Sequence, residues 1–142
     1  MDADLDLGRA LVAAGWTWTA YTPVIEAGQS GMTGCRGVVL PSVVRPGELC
    51  VRWAGPPLGP KGWMETGITH GTVPDLDHDG AAGVIVGMLR EAVQGWTVEI
   101  LMLRAHVEVC VGSPGSGGRT VHVDTSLGRA AARAWLSIKE RA

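Results

Sequence analysis

Between Gly80 and Gln94 the chain reads GAAGVIVGMLREAVQ, and Arg90, Glu91 and Gln94, all near its end, are the polar side chains of that run. Ala81, Val84, Ile85, Met88 and Ala92 recur at helical spacing on one side, and Ala82, Val86, Leu89 and Val93 on another. A helix apolar around so much of its circumference does not sit bare on a small domain. It is central in a core, or a partner subunit covers it. The rest of the chain must therefore supply a surface for it to pack on. With 142 residues, 46% of them hydrophobic and 18% charged, the chain has the size and composition of one packed domain that needs no staples.

That surface reads as sheet. A short helix from about Asp6 to Ala14 places Leu7, Ala10, Leu11 and Ala14 on one face, with Asp2, Asp4 and Asp6 at its positive end and Gly15 suited to stop it. Trp16, Trp18 and Ala20 then alternate with Thr17, Thr19 and Tyr21, which is strand periodicity. Cys35–Leu40 and Leu49–Ala54 read as strands joined by a turn over Ser42–Glu48 with Pro46-Gly47. Residues 55–62, GPPLGPKG, cannot be helix or inner strand and mark a flexible lip or an internal boundary. An extended stretch covers Trp63–Thr72. After the apolar helix, Thr97–Leu103 and His106–Val111 form an alternating hairpin, and Val121–Val123 reads as a short third strand. Thr125 or Ser126 can cap a last helix running to about Glu140, with Leu127, Ala131, Ala134 and Ile138 facing inward. The order α-β-β-β-α-β-β-α gives an α+β fold, an antiparallel sheet with helices on one side, in a single domain over residues 1–142.

Charge and cysteine usage exclude several classes. The net charge of −2 offers no basic surplus for a phosphate backbone, which argues against nucleic acid as a partner. Cys35, Cys50 and Cys110 are odd in number and far apart, with no C-x-x-C pair, so they read as reduced thiols of a cytosolic protein. The opening Met-Asp-Ala-Asp-Leu-Asp is acidic where a secretion leader would be basic, and no apolar run approaches a membrane span. A cytoplasmic location is expected, with no membrane partner.

Asp75-Leu76-Asp77-His78-Asp79-Gly80-Ala81-Ala82-Gly83, followed by Leu89-Arg90-Glu91-Ala92, resembles a loose group of small uncharacterised proteins of bacteriophages, prophages and some bacteria. Their usual run is D-L-D-D-P-A-T-x-G, a short apolar stretch and V-R-E-A, then a strand hairpin and a last helix opened by T-E-A-E-A. Here that helix opens Thr125-Ser126-Leu127-Gly128-Arg129-Ala130, and Leu11-Val12-Ala13-Ala14-Gly15-Trp16 looks like their first helix. The resemblance covers about two thirds of the chain in scattered pieces. It implies a compact α+β fold and a mobile-element origin, and it implies no activity.

Four groups of residues could carry chemistry. Asp75-x-Asp77-x-Asp79-Gly80 is the first half of a calcium loop, but the bidentate glutamate of the twelfth position is replaced by Val86. In the similar proteins the place of Asp79 is usually proline at a first helical turn, so Asp77, His78 and Asp79 read better as a cap that complements the helix dipole. His70, Asp75, His78 and Glu91 have the side chains of a zinc or manganese site without its spacing, and His106 or His122 could add a ligand. The loop 112–120, GSPGSGGRT, lacks the lysine and the following helix of a phosphate cradle, although Ser116 and Arg119 could grip an anion. Ser30 is not in a G-x-S-x-G elbow, and Cys35 and Cys50 have no histidine at a diagnostic spacing.

The tryptophans remain. Six of them in a chain without phenylalanine must fill core, yet Trp16, Trp18, Trp53 and Trp63 lie near loops rich in glycine and proline. With Arg36, Arg52 and Arg119 (Arg45 being a further candidate) they could form a stacking pocket for a flat anion. Tryptophan and arginine are also the usual anchors of protein interfaces. The sequence thus points to a non-enzymatic binding protein of mobile-element type that blocks a host factor, without cofactor or resident metal. A small-molecule or nucleotide-signal binder using the Trp/Arg set, and a metal-assisted hydrolase on His70–Asp79, stand as alternatives. A homo-oligomer through the 80–94 helix is expected from its excess of apolar face.

Overall fold

A computed structural model describes residues 2–28, 33–54, 62–113 and 118–141. The fold is α+β, with antiparallel sheets and helices packed against them. Two compact units divide the chain after Asp75.

The first unit opens with helix α1 (Asp2–Ala13). Its end is a Schellman cap: Gly15, at φ +103°, donates to the Val12 carbonyl and Trp16 donates to the Leu11 carbonyl. The expected strand over Trp16–Tyr21 is therefore absent. The Trp16 N–H is spent on the helix cap, and Tyr21, at φ +70°, turns the chain so that pairing begins at β1 (Pro23–Glu26). Strands β2 (Arg36–Pro41), β3 (Leu49–Ala54), β4 (Trp63–Thr66) and β5 (Thr72–Pro74) complete a five-stranded sheet in the order β4-β3-β2-β1-β5. The β2–β3 turn falls where Pro46-Gly47 marks it. Glu48 N–H reaches the Arg45 carbonyl, and Gly47 takes φ +87°, the pattern of a type II turn.

Two other expectations change here. Trp63–Thr72 is not one extended stretch. It breaks after Thr66, turns through a Thr72-to-Thr69 backbone bond, and crosses to the opposite sheet edge as β5. Residues 55–61 lie outside the described residues, but Ala54 pairs with Trp63, so this segment links two strands of one hairpin. The division between units falls elsewhere, at Asp75. One side of the sheet carries a core of Val24, Cys35, Val39, Val51 and Trp53, against which Trp18, Leu49 and Ile68 pack. Helix α1 lies against β5 so closely that a Cβ on Gly8 would come within 3.0 Å of Val73.

The second unit contains α2 (Asp79–Ala92), a three-stranded sheet of β6 (Thr97–Met102), β7 (Val107–Gly112) and β8 (Arg119–Asp124), and α3 (Leu127–Arg141). Helix α3 packs on β7, β8 and α2. The apolar helix is less apolar outward than its sequence implies. Ala81, Ala82, Ile85 and Leu89 are buried, Val84, Val86 and Met88 are half-buried, and Gly80, Gly83 and Gly87 form the exposed side. Ser126 caps α3 by accepting from the Arg129 N–H at 3.2 Å.

Candidate binding face

In an antiparallel sheet, residues paired across strands share a face. The register places Arg36 opposite Ala54, and Ala54 opposite Trp63, so these form one row across β2, β3 and β4. The next row is Val38, Arg52 and Glu65. Both rows lie on the side of the sheet away from the Trp53 core, because strand side chains alternate. Trp63 is 62% exposed. The Arg52 guanidinium sits over its ring, 4.7 Å from the centroid, and bonds Glu65 at 2.9 Å. At the other end of the first row, Arg36 is exposed and lies 3.5 Å from the buried carboxylate of Asp75. Among the described residues, the row between Arg36 and Trp63 holds the methyl of Ala54. Two strand spacings, roughly 10 Å, separate the flanking backbones.

The seven tryptophans and arginines singled out in the sequence are thus divided. Arg36, Arg52 and Trp63 come together on one face. Trp53 is 1% exposed in the core, with its indole N–H donated to Thr66 Oγ1 at 2.8 Å. Trp16 is also buried and meets Trp18 edge to face at 5.9 Å. Its indole N–H has no partner among the described residues. Arg119 belongs to the second unit, where it bonds Glu99 at 3.2 Å. A hydrogen bond to Cys110, then the charges of Cys110 and Glu99, hold its guanidinium above its ordinary range. Sequence reasoning missed Glu65, which neutralises Arg52, and Ala54, which floors the row. Strand alternation counted from Trp53 finds Ala54, and counted from Trp63 finds Glu65.

The acidic run is spent on structure. Asp75 faces Arg36, and Asp77 meets Arg129 at 3.1 Å. His78 caps α2, its Nδ1 accepting from the Gly80 N–H at 3.0 Å, and Asp79 occupies the first helical turn. Among the described residues no three His, Cys, Asp or Glu side chains converge as a metal site would need. His106 pairs with Glu108 and His122 with Thr120. His70 and Glu91 are exposed. Ser30, Ser116 and the centre of the 112–120 loop lie outside the described residues.

Asp124 is the electrostatic centre of the second unit. Its carboxylate accepts from Arg129 Nε at 2.9 Å, from Arg133 Nε at 2.8 Å and from the Thr125 N–H at 2.7 Å. Burial alone would raise its pKa, but the bonds from Arg133, Thr125 and Arg129 outweigh that and hold it below the usual aspartate value. The bonds from Arg129 and Arg133 to Asp124 tie α3 to β8. Among the described residues no helix is long and apolar enough to cross a membrane. Comparison of the chain with protein-family models, with curated proteins and with solved structures finds no match.

Proposed function

We propose that this protein is a non-enzymatic binding protein that docks another protein on the Arg36–Ala54–Trp63 face of its five-stranded sheet. The observation that carries the reading is the exposure of Trp63 on an open sheet surface, stiffened from one side by Arg52. A small-molecule site encloses most of its ligand in a concave pocket, whereas a flat face anchored by tryptophan and arginine suits a protein partner. The resemblance to phage and prophage proteins supports a host factor as that partner, in a role of blocking it. The fitting surface on the partner is apolar where it meets Trp63 and acidic where it meets Arg36.

The test is quantitative affinity capture from host lysate with the wild type, Trp63→Ala and Arg36→Ala, each checked for an unchanged circular dichroism spectrum. A host protein retained by the wild type and reduced about tenfold or more by Trp63→Ala, the scale of one interface anchor, supports the reading. Equal capture by wild type and Trp63→Ala would remove it.

One observation favours a second reading. The slot over Ala54, between an aromatic ring and a guanidinium, also suits a flat anionic group such as a nucleotide. Trp63 emission would then respond to some member of a nucleotide panel, and the response would disappear in Arg36→Ala. The metal-assisted hydrolase gains no support from Asp75, which is in an ion pair, or from His78, which caps α2.

A further inference from the structure

The second unit carries an edge that fits itself. Among the described residues, strand β6 is bonded to β7 alone. Natural sheets guard such edges with lysine, proline or bulges. The sequence of β6, Thr-Val-Glu-Ile-Leu-Met, has no lysine or proline, and its one charge, Glu99, is paired with Arg119. Ile100, Leu101, Met102 and Leu103 are all exposed.

Hydrogen-bond phase restricts what can pair there. The Leu103 N–H donates to the His106 carbonyl at 2.9 Å, in register with the β6–β7 ladder. Alternate residues of an antiparallel strand bond to opposite sides, so Thr97, Glu99 and Leu101 point their backbone groups at β7, and Val98, Ile100 and Met102 point theirs outward. A second β6 running antiparallel must bring outward residues opposite outward residues. Centring the pair on Glu99 would face that carboxylate with its own copy, which is unfavourable. Centring it on Leu101 runs Val98 past the strand end, opposite Arg104. Centring it on Ile100 uses every outward residue: Ile100 faces Ile100, Val98 faces Met102, Glu99 faces Leu101, and Trp96 faces Arg104.

Side-chain shape agrees with that register. A groove of about 600 Å³ runs between the end of α2 and β6, with Val86, Val93, Trp96, Val98 and Ile100 on its apolar part and Arg90, Glu91 and Gln94 on its polar part. Met102 shares a sheet face with Val98 and Ile100 and is 67% exposed. With Ile100 on the axis, Met102 of the second copy stands opposite Val98, at the mouth of the groove. An exposed flexible thioether and the apolar, β6-side part of the groove then meet each other twice. The outward side of α2, by contrast, is glycine and presents no large side chain at its centre.

We infer that the protein forms a two-fold symmetric homodimer in which the β6 strands of two copies pair antiparallel about Ile100, joining their sheets. This does not depend on the Trp63 face, which lies in the other unit. Native mass spectrometry at micromolar concentration tests it. The wild type is expected at twice the 14.9 kDa chain mass. Ile100→Lys and Ile100→Glu are each expected as monomers, and their equimolar mixture as a dimer containing one of each, because opposite charges then face across the axis. Cysteine placement tests the register without disturbing the core. Under mild oxidation Ile100→Cys is expected to cross-link the dimer, and Glu99→Cys and Leu101→Cys are expected not to. A monomeric wild type, or a dimer that survives Ile100→Lys and cross-links equally at all three positions, would overturn the inference.

Discussion

The Arg52 guanidinium lies 4.7 Å from the centre of the Trp63 ring while donating to Glu65 on the same strand as that ring. One arginine on β3 thus fixes two neighbours of the edge strand β4. A half-exposed cation–π contact is worth about 0.5–1 kcal/mol, and an exposed ion pair adds about 0.2–1 kcal/mol or nothing. Arg52→Ala is therefore expected to lower stability by about 1 kcal/mol and to change Trp63 emission as the ring is released. Urea titration followed by fluorescence reads both. A variant as stable as the wild type, with an unmoved spectrum, would show that the contact does not order Trp63.

Asp124 makes stability depend on acid. Its folded-state pKa lies below its ordinary value of 3.8, so its contribution is fully present above that value and is lost as pH falls through the lower folded value. Asp124→Asn removes the charge that Arg129 and Arg133 face. Such charge-assisted bonds are worth about 1.5–3 kcal/mol, so the variant is expected to be less stable than the wild type by about that amount at neutral pH. The gap is expected to narrow as pH falls below the ordinary aspartate value and to close only below the lower folded value, where the folded wild-type carboxylate also becomes neutral. Thermal melts at a series of pH values measure it, and a gap independent of pH would rule out the charge as its origin.

Much of the second unit was legible in the sequence because its signals are local. The alternation in Thr97–Leu103 and His106–Val111 marks the hairpin, and His78 and Ser126 sit where helix caps belong. The first unit was harder to read. Trp16 and Trp18 alternate with threonines as strand residues do, but their spacing serves a helix cap followed by an aromatic contact. The crossing from β4 to β5 depends on long-range pairing that no local signal carries. The candidate face was half legible: residue type identified Arg36, Arg52 and Trp63, while the burial of Trp16 and Trp53 and the placement of Arg119 in the other unit depend on tertiary structure.

Gly128 and the glycines of α2 are expected to respond to alanine with opposite signs. A Cβ on Gly128 would overlap the Leu76 carbonyl, a backbone atom that cannot swing aside, so Gly128→Ala is expected to cost about 1–3 kcal/mol. A Cβ on Gly83 or Gly87 meets nothing within 4 Å. There alanine removes unfolded-state freedom and favours helix, and each substitution is expected to add about 0.5–1 kcal/mol. Denaturant midpoints of the three variants decide this. Loss of stability at Gly83 or Gly87 would mean that something packs against the outward side of α2 in solution.

Tyr21 holds a left-handed backbone, φ +70°, that a bulky side chain adopts at a cost of about 1–2 kcal/mol. The conformation is imposed from both sides. Its N–H is bonded to the Val39 carbonyl at 2.6 Å, and Thr22 is clamped next to it, fully buried, with its hydroxyl donated to the Thr19 carbonyl. The ring itself is 68% exposed and contributes little packing. Tyr21→Asn keeps the backbone bond and supplies a residue that tolerates the left-handed region, so stability is expected to rise by about 0.5–1 kcal/mol. Tyr21→Val is expected to lower it, because a β-branched residue is worse placed there than tyrosine. If asparagine destabilises instead, the aromatic ring is what holds the turn.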